Sequence, residues 1–198
     1  MGEIIRTSAR GGWMGNRGLL HNDQQHIVRP YRLTAWITCV LSFKGRRRKV
    51  MSPGLYTELF FLDEATAFSA GHRPCKECRR EDHMRFKQCW MAGNPAYGFN
   101  EQTKIGEIDS VIHKERITAH HTKVTYQEEI SQLPDGSFIM VDDQAYLVKG
   151  DNLFLWAPAG YSTKLARPKN QTVTVLTPRS IVNTFKAGYD PQLLLPDS

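Results

Sequence analysis

The chain has 198 residues, with 26 Lys and Arg against 20 Asp and Glu, and 40% of its residues are hydrophobic. That length suits one domain or two small ones sharing a core, and that apolar content excludes an intrinsically disordered chain. No apolar run is long enough for a membrane helix, and Met1 to Arg6 lacks the apolar segment of a secretory leader. The expectation is a cytoplasmic protein with no membrane association.

In chain order, the first feature is a glycine-rich leader, Arg10 to His21, that matches neither a P-loop nor a dinucleotide fingerprint. Its glycines let backbone amides approach an anion, with Asn16, Arg17 and His21 as directing side chains; the plainer reading is a leader that packs Trp13 and Met14 on the body. Two strand-like runs follow, Trp36 to Phe43 and Val50 to Phe61. Between them Lys44-Gly45-Arg46-Arg47-Arg48-Lys49 reads as a basic loop or hairpin tip. Asp63 to Ala70 is predicted to be a short helix, with Asp63 as N-cap, Glu64 in the first turn and Gly71 in the left-handed position after it. A second helix is predicted over 77–91.

Past residue 100 the pattern changes. Lys104 to Tyr126, rich in Ile and Val, reads as extended or mixed, with His113, Arg116, His120 and His121 embedded in it. Short strands over 137–141, 144–149 and 153–156 are separated by turn signals such as Pro134-Asp135-Gly136, which is a meander. A strand over 172–176 leads to a C-terminal helix, with Thr177 as its cap, Pro178 at its first position and Gly188 closing it. The fold class is α+β, with residues 1–100 and 101–198 packed as one unit.

The chemistry concentrates in Ala70-Gly71-His72-Arg73-Pro74-Cys75-Lys76-Glu77-Cys78. Two cysteines two residues apart can bind one tetrahedral ion; a redox dithiol and a pair of core cysteines are the alternatives. The stretch Phe60 to Cys78 resembles the zinc-binding N-terminal domain of Ada-type alkylation-repair proteins, in which Arg-Pro-Cys-x-x-Cys supplies two of four zinc thiolates. The resemblance implies Zn2+ on Cys75 and Cys78, DNA as partner, a role in DNA repair or processing, and an Ada-like fold for the first half. The family's other two thiolates form a Cys-x-x-x-Cys pair upstream, and one of them accepts a methyl group from DNA phosphotriesters. Here Cys39 is the only upstream cysteine, and Phe43 stands four residues beyond it. Cys39 is therefore a possible third ligand, otherwise a core residue, and an isolated strand thiol there is not expected to accept a methyl group. Cys89 lies about 16 Å along a continuous helix from Cys78, too far for one ion. Any of His72, His83, His113, His120 and His121 could supply a further ligand. A deaminase also carries Pro-Cys-x-x-Cys at a helix start, but the glutamate it needs upstream is missing.

The net charge of +6 is unevenly spread. Arg46, Arg47, Arg48 and Lys49 in the basic loop, and Arg73, Lys76, Arg79 and Arg80 around the cysteines, suit a phosphate-rich partner, with DNA ahead of RNA; a merely solvated basic face is the alternative. Two functions follow. One is a nucleic-acid-binding protein with a structural zinc. The other is a metal- or histidine-dependent enzyme acting on nucleic acid or a nucleotide, with Arg17, His113, Arg116 and His120 around the substrate.

Overall fold

A computed structural model describes residues 3–45 and 49–195. Over these residues the fold is α+β, with two sheets. The first sheet holds β1 (Trp13–Asn16), β2 (Ile37–Cys39), β3 (Leu59–Phe61) and β4 (Arg73–Pro74) in the order β3-β1-β2-β4. β1 runs antiparallel to both neighbours, and β4 lies parallel to β2. The glycine-rich leader thus contains an interior strand, Trp13–Asn16, and is not a loose segment. Gly11 is required there, because a Cβ on it would stand 2.3 Å from the Phe61 carbonyl oxygen. Since β1 separates β2 from β3, the basic connection is not the tip of a hairpin between paired strands. Arg46, Arg47 and Arg48 lie outside the described residues.

The second sheet is antiparallel throughout, in the order β5-β10-β6-β7-β8-β9. β6 (Phe138–Val141), β7 (Gln144–Lys149) and β8 (Asn152–Ala157) form the expected meander. β9 (Gly160–Ala166) extends it, while β10 (Thr172–Val175) crosses back to lie between β5 (Tyr126–Glu129) and β6. β9 is mostly exposed, and β5 alternates half-buried and exposed positions with only Tyr126 among them carrying a large ring, so neither carries the apolar alternation that marks a strand in sequence.

Four α-helices lie among the described residues. α1 (Glu64–Ser69) begins where the Asp63 carboxylate accepts from the Thr66 N–H at 2.8 Å. α2 (Arg80–Gly93) starts three residues later than expected and buries His83, Phe86 and Trp90 along one face. In the segment expected to be extended or mixed, residues Ile105–Arg116 are the helix α3. Ile105, Ile108 and Ile112 recur at helical spacing, and Glu107 accepts from the Lys104 N–H at its start. α4 (Arg179–Lys186) has no side-chain cap of its own. Thr177 Oγ1 instead accepts from Phe138 N, and Glu115 of α3 takes the Ser180 N–H at 2.9 Å.

α4 sits between the layers. Val182 packs with Ile139, Val148 and Val175 of the large sheet, while Ile181 and Phe185 join Phe68, Phe86, Trp90 and Ile112 in the helical core. Each large side chain so buried contributes about 2–3 kcal/mol relative to exposure. Leu62 and Ala65 pack against Phe138, Leu147, Tyr161 and Leu176, so α1 and the segment before it rest on the large sheet. Among the described residues no helix is long and apolar enough to cross a membrane.

Candidate metal centre

The register of the small sheet builds the site. Thr38 pairs with Pro74 across the parallel β2–β4 contact, and Cys75 N donates to Thr38 O at 3.0 Å. The next residue on each strand is a cysteine, so Cys39 and Cys75 come side by side. The chain then turns, with Arg79 N donating to Cys75 O at 3.1 Å, and this brings Cys78 back to the pair. The three Sγ atoms lie within 4.8 Å of one another. Cys75 is buried, while Cys39 and Cys78 are half-buried. Cys39 thus stands where a third ligand beside Cys75 and Cys78 would be, and not as a lone strand thiol.

Without a cation the three sulfurs compete for protons. The hydrogen bond from the Cys39 thiol, helped by the N–H groups of Cys78 and Glu77, holds Cys75 down to about 5 against the opposing effect of burial. That same hydrogen bond, with burial and the Cys75 charge, pushes Cys39 far up. Burial and Cys75 raise Cys78 despite an N–H from Val40. One thiolate and two thiols is the arrangement such a cluster adopts alone. A divalent cation taking the place of the remaining protons lets all three ionise, so the donor set fits a metal. Tetrahedral thiolate coordination is the chemistry of zinc, and three protein ligands leave one position for another donor.

The surroundings hold the turn by ion pairs. Arg73 donates from Nε and Nη2 to the two carboxylate oxygens of Asp109 on α3, both at 2.7 Å, and from Nη1 to Pro74 O. Arg79 pairs with Glu64 and with Asp82 and lies over the Trp13 ring at 4.0 Å. Both arginines are 5% exposed, which corrects their assignment to phosphate contacts: their guanidinium groups brace the site instead. Lys49, Lys76 and Arg80 are exposed.

Matched against family models, curated proteins and solved structures, the chain finds no counterpart in any of them. The site therefore has to be read from its own residues.

Among the described residues the metal-ligating cluster contains no histidine. His83 Nδ1 lies 3.1 Å from Pro74 O. His72 is fully buried, its Nε2 accepts from Arg17 Nε at 3.2 Å, and burial, followed by Arg17 and Arg116, drives its pKa well down. Cys89 packs beside the helical core. Of the residues expected around a substrate, Arg17 and Arg116 do come together, each 3.8 Å above the Trp36 ring. His113 adjoins them, with Nδ1 2.8 Å from Arg116 Nη2. His120 stays exposed on the turn after α3 and joins none of them. Sequence reasoning missed Lys123, whose Nζ donates to Ser69 O at 2.7 Å near the same pair. A single lysine after a helix carries no local signal of this placement.

Proposed function

We propose that this chain is a zinc-thiolate protein that binds nucleic acid, DNA ahead of RNA, in repair or processing. The observation that carries the reading is the convergence of Cys39, Cys75 and Cys78 from a strand and a turn onto one point. Zinc there fastens β2 to the start of α2. The same segments carry exposed cations: Lys44 and Lys49 on the connection leaving Cys39, Lys76 inside the turn, and Arg80 at the first position of α2. Phosphates held by such residues release counterions, which gives affinity without base preference. Four free thiols suit a reducing cytoplasm.

The full chain purified without chelator should carry about one zinc per chain and should bind labelled DNA with affinity that falls steeply between low and physiological salt. Replacing Lys44, Lys49, Lys76 and Arg80 by Ala should weaken duplex and single-stranded DNA alike and flatten that salt slope, with zinc content unchanged. Freely titratable thiols in folded, metal-free protein would sink the zinc reading. An absence of salt-dependent binding to any nucleic acid would sink the other.

A second reading, a metal-dependent enzyme, is favoured by the count of three donors among the described residues. A catalytic zinc keeps an open position, whereas a structural one closes its shell with protein. Cobalt substitution separates the two: added azide or thiol perturbs the visible spectrum of an open site and leaves a closed one unchanged.

A further inference from the structure

The fold buries two of its cations as ion pairs, Arg73 with Asp109 and Arg79 with Glu64. Arg17 and Arg116, equally buried at 5% and 3% exposure, have no such partner among the described residues. They share a cavity of about 770 Å³ with Trp36 and Lys123. Among the described residues no carboxylate forms an ion pair with any of the three cations; the Asp109 oxygens are held by Arg73, and Glu3 and Asp143 line the cavity without pairing. Burying like charges together is costly unless something of opposite charge completes the site.

Their donors are partly spoken for and partly free. Arg116 is fixed by Gly71 O at 2.7 Å and Thr34 O at 2.5 Å, its Nη2 also lies 2.8 Å from His113 Nδ1, and its buried Nε is without a partner. Arg17 uses Nε on His72, and its two Nη atoms have no acceptor among the described residues. Lys123 gives one of its three protons to Ser69 O. Burial, and the charges of Arg17 and Arg116, push Lys123 down to about 7. The apolar part of the wall comes from Ile27, Val28, Pro30, Ile117 and Leu176, and Arg29 and His121 are among its other polar lining. The volume is that of a nucleotide-sized ligand.

We propose that this cavity is a binding site for a phosphate monoester, its dianion held by Arg17, Arg116 and Lys123 and its organic part by the apolar wall. Three cations with spare donors match a dianion better than a single carboxylate. The site is separate from the thiolates and independent of the zinc and nucleic-acid reading. Trp36 and Cys39 stand three residues apart, and the alternation of an extended chain sends them to opposite faces.

The test uses the full zinc-loaded chain and calorimetric titration with inorganic phosphate, adenosine 5′-monophosphate and adenosine. The monophosphate should bind and raise the Tm, while adenosine should bind at least about tenfold more weakly. Binding should also take up a proton at pH 8, read as a heat that varies with the buffer, because the dianion recharges Lys123. The other charged and titratable groups near it, Arg17, Arg29, Arg116, His72, His121, Glu3 and Asp143, remain in Lys123→Gln. That variant keeps a donor for Ser69 O, and should lose about tenfold in affinity together with the proton uptake, at unchanged zinc content. An oligonucleotide with a 5′-phosphate, set beside its 5′-hydroxyl twin, identifies the source. Preference for the phosphorylated form assigns a nucleic-acid end; equal binding of the two, with the monophosphate still bound, assigns a free ester. Failure of phosphate and monophosphate to bind folded protein, adenosine binding as tightly as its monophosphate, or Lys123→Gln binding the monophosphate like wild type would each overturn the proposal.

Discussion

Cys39, Cys75 and Cys78 differ in how far local sequence announces them. The spacing of Cys75 and Cys78 after Pro74 is a ligand pattern in itself. Cys39 becomes a partner only through a parallel pairing two residues long, Ile37 with Arg73 and Thr38 with Pro74, and a strand that short leaves no trace in hydropathy. Cys39→Ser should therefore remove zinc as completely as Cys75→Ser and lower stability by about 3 kcal/mol at free zinc near one hundred times Kd. Cys89→Ser, beside Phe86 and Trp90, should keep the metal and cost only a fraction of that. Metal content by mass spectrometry with parallel urea melts checks both. Zinc retained by Cys39→Ser would return Cys39 to the core. Arg73 and Arg79 show the converse. Both read as surface charge in sequence, because the acids that claim them, Asp109 and Glu64, lie 36 and 15 positions away.

β4 and α3 meet through the Arg73–Asp109 pair. β4 has only two residues, so its position beside β2, and with it the placing of Cys75, depends on this pin. Asp109→Asn leaves a buried guanidinium without its counter-charge, and should cost about 3–5 kcal/mol. It should also speed zinc transfer to a competing chelator. Removing both charges, as Arg73→Met with Asp109→Leu, should restore most of the stability, since an apolar pair of similar volume often replaces a buried ion pair at little cost. Urea melts of the single and double variants decide this, and a double variant no better than the single would refute it. The same stretch of chain was only partly legible as a helix. Helix α3 was legible from Ile105, Ile108, Ile112 and the Lys104–Glu107 cap, but β-branched content alone points to strand. The meander was legible because tight turns interrupt it, whereas β10 reaches its place between β5 and β6 by a crossing that no local pattern encodes.

Across the whole molecule, charge sets how stability responds to pH. Lys123, pushed down to about 7, binds its proton less tightly in the fold than in the unfolded chain, where its ordinary value is 10.5. Below 7 both states carry the charge, and the fold bears the full cost of burying it beside Arg17 and Arg116. Between 7 and 10.5 the unfolded chain holds the extra proton, so this group makes stability rise with pH, by at most about 1.4 kcal/mol per unit. The thiols Cys39 and Cys78, raised in the metal-free fold, act in the opposite sense, so the measurement belongs on zinc-loaded protein and on a difference between two chains. Lys123→Met has no such slope. Relative to wild type it should be most favoured near pH 6, and that advantage should fade steadily as pH climbs toward 10. Urea melts of both proteins across that range measure it, and a difference that stays flat with pH would show that the Lys123 charge is solvated. A saturating phosphate monoester should reverse the comparison at neutral pH, because the charge that burdens the empty fold is then the one that holds the ligand.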